Sequence, residues 1–430
     1  MSSSDGLGER QNFQMPPATG LPFIVGFFFS FRLFIMLLSV RILGTEVETG
    51  VEINLALNYL LLVLVAFQSL GITDMVSPRM FKLPSVRWVL IFLGFSCCSL
   101  LWSATASLPA AAAYWCAMAA DVAMVVLLLR VGPISGVANS LMKGYVCGAC
   151  AVAIVAWLMP AQSDLRLGDE ELLGTNQIGY LCAFGVFIAQ YLMRSKAGKW
   201  GFAAILLAVT LLRSLSKTSI IAFLAAEAFL LMRDKSMTLR TKLILTSVAG
   251  LVVIGFSGLL TSYFDIYANS GNSPETLTGR LGIWAFVLNE AIQQPWIGHG
   301  FHSVWKVIPP FGDFEARHAH NELLQQFYAY GVVGVCMMAG LYGSFYRQAR
   351  KFAIDPMRTF YYALLLFVLI RGLADTEVFD FSLPLWAIIM FSLLIEDARA
   401  AQHTDAVPLL EQLEQLEQTS AQRALKPQVL

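Results

Sequence analysis

Charge is scarce in this chain. Only 13% of its 430 residues are Asp, Glu, Lys or Arg, about half the share of an ordinary soluble domain. The 57% that are hydrophobic come in blocks of about 20 residues, the length at which an α-helix spans hydrocarbon. These blocks are continuous rather than alternating, which excludes a membrane β-barrel. Net charge is also missing: 29 Lys and Arg balance 29 Asp and Glu, so the whole-chain charge points to no partner, and no nucleic-acid partner is expected. A disulfide framework is lacking too. Cys97, Cys98, Cys116, Cys147, Cys150, Cys182 and Cys336 all lie in apolar runs and read as small buried hydrophobes. Cys147-Gly-Ala-Cys150 has redox spacing, but it sits in a span with no thioredoxin-like pattern around it. No small-residue cleavage site accompanies the first apolar run, so no cleavable signal peptide is expected. No internal repeat is visible, and the main polar loop is not central, which argues against a transporter built from two halves.

What is present is an all-α polytopic membrane protein of about 12 transmembrane helices. Residues 1–19 form a polar N-terminus, read as cytoplasmic and disordered. Residues 20–263 carry the first nine spans, 264–320 a large external loop, 321–396 the last three spans, and 397–430 a polar cytoplasmic tail. In the tail, Leu410, Leu413 and Leu416 suggest one short amphipathic helix. The distribution of Lys and Arg sets the orientation. With the N-terminus inside, the even-numbered loops carry clusters such as Arg233, Lys235, Arg240 and Lys242, or Arg347, Arg350 and Lys351. The opposite loops carry Glu46, Glu48 and Glu52, then Asp164, Asp169, Glu170 and Glu171, then Asp375, Glu377 and Asp380. The long loop is therefore external.

Against that acidic face a few cations stand out: Arg166, Arg213, Lys217, Arg280, Lys306, Arg317 and Arg371. They are either scattered positioning charges or parts of a pocket for an anionic, lipid-linked group, because guanidinium forks suit phosphate. Arg213 and Lys217 would share a face if the break between the seventh and eighth spans is helical. Inside the spans Arg32, Asp121 and Glu227 are either functional groups or structural partners of one another. The loop predicts an amphipathic helix from Leu277 to Pro295, with Leu281, Trp284, Leu288 and Ile292 as its apolar stripe and Arg280 on its first turn. Four of the five histidines are external: His299, His302, His318 and His320. Their spacing allows zinc, but no neighbouring carboxylate or cysteine in the sequence completes a set. The remaining readings are structural histidines or a neutral imidazole acting as a proton acceptor.

These residues resemble the O-antigen ligase and Wzy-type polymerase superfamily of bacterial envelopes. The shared pattern is Arg280, Ile283-Trp284, Pro295, Gly298-His-Gly300, then His320-Asn321, nine residues, and Gly331-Val-Val-Gly334. The resemblance implies a metal-independent glycosyltransferase, with no cofactor, on the periplasmic face of the bacterial inner membrane, both termini being cytoplasmic. Its donor would be an oligosaccharide on undecaprenyl diphosphate. It implies catalytic roles for His320 and Arg280, diphosphate contacts from Arg213, Lys217 and Arg280, and support from Asn321, His318, Trp284, Gly331 and Gly334. A family arginine after the seventh span stands here as Lys217, which keeps the charge but loses the fork. Other implied partners are the bilayer and, within the same pathway, a chain-length regulator and a flippase. Ser214-Leu-Ser216-Lys217-Thr218 looks more like the exopolysaccharide-polymerase (ExoQ-like) branch than the ligases. Polymerase is therefore the leading reading, with O-antigen ligase and polysaccharide transporter or flippase as alternatives.

Overall fold

The chain is seen in a computed structural model that describes residues 20–70, 80–160, 162, 165–169, 172–235, 238–255, 257–258, 261–262, 277–304, 318–352 and 355–401. The polar residues 1–19, Lys306, Arg317 and the Leu410, Leu413 and Leu416 stripe lie outside the described residues.

Helix dominates because apolar runs leave the backbone no partner but itself. The helices are α1 (Gly20–Leu37), α2 (Val47–Leu70), α3 (Pro84–Ser99), α4 (Leu108–Val131), α5 (Ile134–Leu158), α6 (Thr175–Arg194), α7 (Gly201–Ser214), α8 (Lys217–Arg233), α9 (Leu239–Gly255), α10 (Leu277–Gln293), α11 (Glu322–Arg350), α12 (Asp355–Gly372) and α13 (385–401). Every apolar segment expected to span carries one of these helices. Six of the stretches, Gly20–Ile42, Val47–Leu70, Pro84–Trp102, Leu108–Val131, Ile134–Leu158 and Glu322–Arg350, are long and apolar enough to cross a membrane. Among the described residues no strand forms; the one extended feature is an isolated bridge between Asp169 and Leu173.

The centre of the bundle is α6 and α13. Residues 385–395 of α13 are all buried, and α6 is buried nearly all round. Phe184 and Tyr145 pack against Trp386, while Phe187 packs on Phe360 and Phe367 of α12. Helix α1 lies against α5 along Gly26, Gly144 and Gly148, small residues that let the two backbones touch. Helix α2 instead leaves Leu60, Val63 and Phe67 exposed, as expected of a helix facing lipid.

The structure bears on three of these readings. The break between α7 and α8 is not helical: Leu215 is left-handed (φ 58°) and Ser216 is extended. Arg213 and Lys217 therefore belong to separate helices and share no common face. Arg32 and Asp121 do pair, at 2.7 Å, with Asn58 donating to the same carboxylate at 3.0 Å. Glu227 stays apart from them and accepts from Gln190. Finally, α10 forms over Leu277–Gln293 and leaves most of the expected apolar stripe uncovered by protein, the side that a helix on the leaflet turns outward. Ile283, Val287 and Ala291 pack inward, whereas Leu281, Leu288 and Ile292 are exposed and Trp284 is half-buried. The sequence presents two apolar faces on this helix. Packing against α11, through Tyr328, Leu324 and Phe327, takes one and leaves the other outward.

Candidate functional site

The site gathers where α10, the start of α8, the N-terminus of α11 and the turn after α12 meet. Asn321 caps α11: its side-chain oxygen accepts from the N–H of Leu324 at 3.0 Å, and its amide donates to the carbonyl of Leu373 at 2.8 Å. One residue earlier, His320 is buried and left-handed (φ 49°), a costly conformation for a side-chain-bearing residue. The turn is held from several sides. Gln325 accepts from Ala319 N–H at 2.9 Å and donates to Val378. His318 Nδ1 accepts from His320 N–H at 3.2 Å, and the two rings lie 4.0 Å apart.

His320 Nδ1 stands 3.4 Å from a carboxylate oxygen of Asp375. Asp375 is in turn paired with Arg371 at 3.3 Å and accepts from Thr376 N–H. Burial pushes the Asp375 carboxyl up, but Arg371 and the two histidines outweigh it and hold it well below the usual carboxylate range. Arg371 is buried beneath this group, bonded to Glu377 at 2.9 Å and stacked over the Tyr180 ring at 4.1 Å. Burial drives His318 well below its ordinary value, with the neighbouring His320 adding to the effect. It is a neutral imidazole at neutral pH.

Arg280 reaches the same turn from α10. It donates to the carbonyl of Ala374, next to Asp375, and to Thr218 Oγ1 at 3.3 Å. That second bond draws in the first turn of α8, where Lys217 opens the helix, a terminus whose free N–H groups and dipole favour an anion. Arg280 Nε is buried with no hydrogen-bond partner among the described residues, and so is the indole N–H of Trp284. The Arg280 cation thus sits between a helix N-terminus and a His–Asp pair, with a donor to spare. Arg213 goes elsewhere: it donates to the carbonyl of Leu165 at 2.7 Å and anchors the loop before α6.

The glycines of the motif have a structural task. Helix α11 is broken at Gly331 (φ 63°, ψ −154°), a conformation that is essentially glycine-only. The Pro295–Gly300 turn docks into that break. Val332 N–H donates to Pro295 and Val333 N–H to Trp296, while His299 and Gly300 N–H donate to Tyr328 and Ala329. Gly298 (φ 64°) runs so close to Ala329 and Tyr330 that a Cβ would strike their backbone. Gly334 lies where the break brings Gln326 and Tyr330 against it. His299 stacks on Tyr328 and bonds to Glu290; His302 stacks between Tyr114 and Phe379 and bonds to Thr105. Both are framework residues, and burial pushes His302 down to about 4.

The reading of the sequence missed Asp375 as a member of the site and took Arg371 as one outer-face cation among several. The available signal was their i, i+4 spacing at the end of an apolar segment, where an ionisable residue needs a partner. With Asp375 in place, His318, His320 and Asp375 offer three ligand atoms within 4.8 Å of one another. The carboxylate that the local sequence lacked is thus supplied from a distant turn. Arg371, bonded to that same carboxylate, and Arg280 one residue away disfavour a further cation there.

These features define the chain as a multi-pass, all-α membrane protein with a polar site at one end of its bundle, and known proteins resemble it in part. Residues 202–339, which hold α7 to most of α11, match the family model described as O-antigen ligase. The chain is also 24% identical over 295 residues to the exopolysaccharide production protein ExoQ of Rhizobium meliloti (strain 1021), a match over 62% of this chain and 66% of that protein, just under two thirds of its length. Together they support an O-antigen ligase/Wzy-type, ExoQ-like family.

Proposed function

We propose that this protein is a glycosyltransferase that polymerises lipid-diphosphate-linked oligosaccharide repeats, the donor being an undecaprenyl diphosphate, on the periplasmic face of the bacterial inner membrane. In this reading the chain crosses the bilayer about twelve times and both termini are cytoplasmic. The observation that carries it is the His320–Asp375 pair beside Arg280 and the start of α8. Asp375, ionised and 3.4 Å from Nδ1 of His320, favours the tautomer with the proton on Nδ1, so Nε2 would be the basic nitrogen. His320 takes the proton of an acceptor sugar hydroxyl as the hydroxyl oxygen attacks the anomeric carbon. The bond from that carbon to the diphosphate breaks, and the lipid diphosphate leaves with the electron pair. Arg280, with its spare Nε, and the α8 terminus with Lys217 meet the growing negative charge in a site of low dielectric. Diphosphate is already a good leaving group, so cations can serve where other enzymes use a divalent ion.

A polymerase and an O-antigen ligase share this chemistry and differ in acceptor. The name of the exopolysaccharide relative and the Ser216-Lys217-Thr218 stretch favour the polymerase. The test is reconstitution of the purified protein in liposomes with the lipid-linked repeat as the only sugar substrate. A ladder of products, absent with His320→Ala and undiminished in excess EDTA, is expected. A single product that appears only after lipid A core is added would make the protein a ligase. Activity lost to EDTA and restored by one divalent ion would turn His318, His320 and Asp375 into a metal site.

A further inference from the structure

A second feature lies at the other end of the same helices. Beyond its break at Gly331, α11 runs on through residues 332–350, about 28 Å at 1.5 Å per residue, close to the roughly 30 Å of a bilayer's hydrocarbon. Its first residue, Glu322, follows His320 by two positions, so its last turn lies toward the opposite headgroup region. Helices α3 and α13 run the same course. Ser99 at the end of α3 accepts from Phe301 on the site side, and Pro84 at its start is on the far side. The turn before α13 bonds to Glu322, and residues 396–399 are at its far end.

Between these three far ends opens a cleft of about 830 Å³. Its walls are apolar: Leu83, Pro84, Trp88, Ala339 and Gly340, with the Trp88 indole laid over Gly340 where a side chain would collide. Its rim is basic. Arg347, Arg350 and Lys351 are exposed along it, and Arg399 on α13 faces them. Among the described residues lining the rim, the one carboxylate, Glu396, is already bonded to Arg399 at 2.9 Å. The buried Gln348 closes the floor by accepting from Ser85 and donating to Ser392, which ties the three helices together.

We propose that this cleft binds one anionic glycerophospholipid, its phosphate among Arg347, Arg350 and Lys351 and an acyl chain along Leu83, Trp88 and Gly343. Charge complementarity at headgroup depth selects the anion; basic pockets between transmembrane helices are suited to such headgroups. The apolar walls select a lipid over a free phosphate, and the Trp88 ring sits where amphipathic rings favour the membrane interface. The site stands apart from the His320 chemistry and does not depend on it.

The test uses the purified full chain, given phosphatidylglycerol or phosphatidylcholine and examined by native mass spectrometry. One retained phosphatidylglycerol and no preference for phosphatidylcholine are expected. Each of Arg347→Gln, Arg350→Gln and Lys351→Gln should weaken retention about fivefold, the equivalent of about 1 kcal/mol per surface cation. Gly343→Leu is the steric control. A Cβ at Gly343 meets nothing within 4 Å, so the side chain enters the cleft without distorting α11. It should lower lipid occupancy about tenfold while the melting temperature holds. Equal retention of both lipids, or unchanged retention in all four variants, overturns the proposal. So does lipid binding that appears only when Glu411, Glu414 and Glu417 are changed to Gln, because the acidic tail would then be the occupant.

Discussion

The backbone N–H of Val332 donates to the carbonyl of Pro295 at 2.8 Å, across a break that α11 makes one residue earlier at Gly331. A helix interrupted inside a membrane frees polar groups that must be bonded again within the protein, and the Pro295–Gly300 turn does this. The motif's glycines therefore shape the site through its backbone. Gly331→Ala puts a Cβ into the carbonyls of Pro295 and Trp296 and adds backbone strain of about 1–3 kcal/mol. The expected result is a melting temperature lowered by several degrees in detergent and loss of long polymer. Val332→Ala, which keeps the backbone bond, should be close to wild type in both.

In the proposed reaction Asp375 would act through His320, as a positioning residue. Asp375→Asn keeps the size of the side chain but removes the charge that fixes the imidazole and balances Arg371. Transfer should fall about a hundredfold or more, in kcat rather than in donor KM, and Asp375→Glu should restore part of it. Equal activity of the Asn and Glu variants, or a loss carried by the melting temperature, would mean that Asp375 has only a structural role.

Arg280 is bonded through one nitrogen to Ala374 and Thr218, with Nε buried and to spare. Arg280→Lys keeps the charge and loses the fork. Donor KM should rise about tenfold with a smaller fall in kcat, whereas Arg280→Gln should lose both. Kinetics against the lipid-linked donor separate these results. Equal kinetics for the Lys and Gln variants would sink the phosphate role.

His302 gives a pH dependence of stability. Its folded pKa of about 4 lies below the ordinary value of about 6.5, so between these limits the unfolded chain binds the extra proton. Its contribution is whole above about pH 6.5 and is lost as the pH falls toward about 4; neutral His318, also shifted down, acts in the same direction. Thermal melts should therefore drop from pH 7 to pH 4.5. His302→Phe, which keeps the stack between Tyr114 and Phe379 but cannot be protonated, should flatten part of that slope.

The sequence by itself determined the class of protein, the placing of the helices and the motif that carries the family. Apolar blocks of spanning length allow only helix, and Asn321 and Pro295 mark helix boundaries by local chemistry alone. His320 and Arg280 were legible because the motif is an ordered run within about sixty residues. Tertiary structure decided the rest. Asp375 and Arg371 join His320 only because the turn after α12 folds over the start of α11, a contact between residues far apart in sequence that leaves no periodic trace. The parting of Arg213 from Lys217 depended on one left-handed residue, Leu215. The buried stripe of α10 was fixed by its partner helix, since two apolar faces at helical spacing look alike until one is covered. The break at Gly331 lies inside an apolar run that reads as a continuous span, and it becomes visible only once the Pro295–Gly300 turn supplies the missing hydrogen bonds.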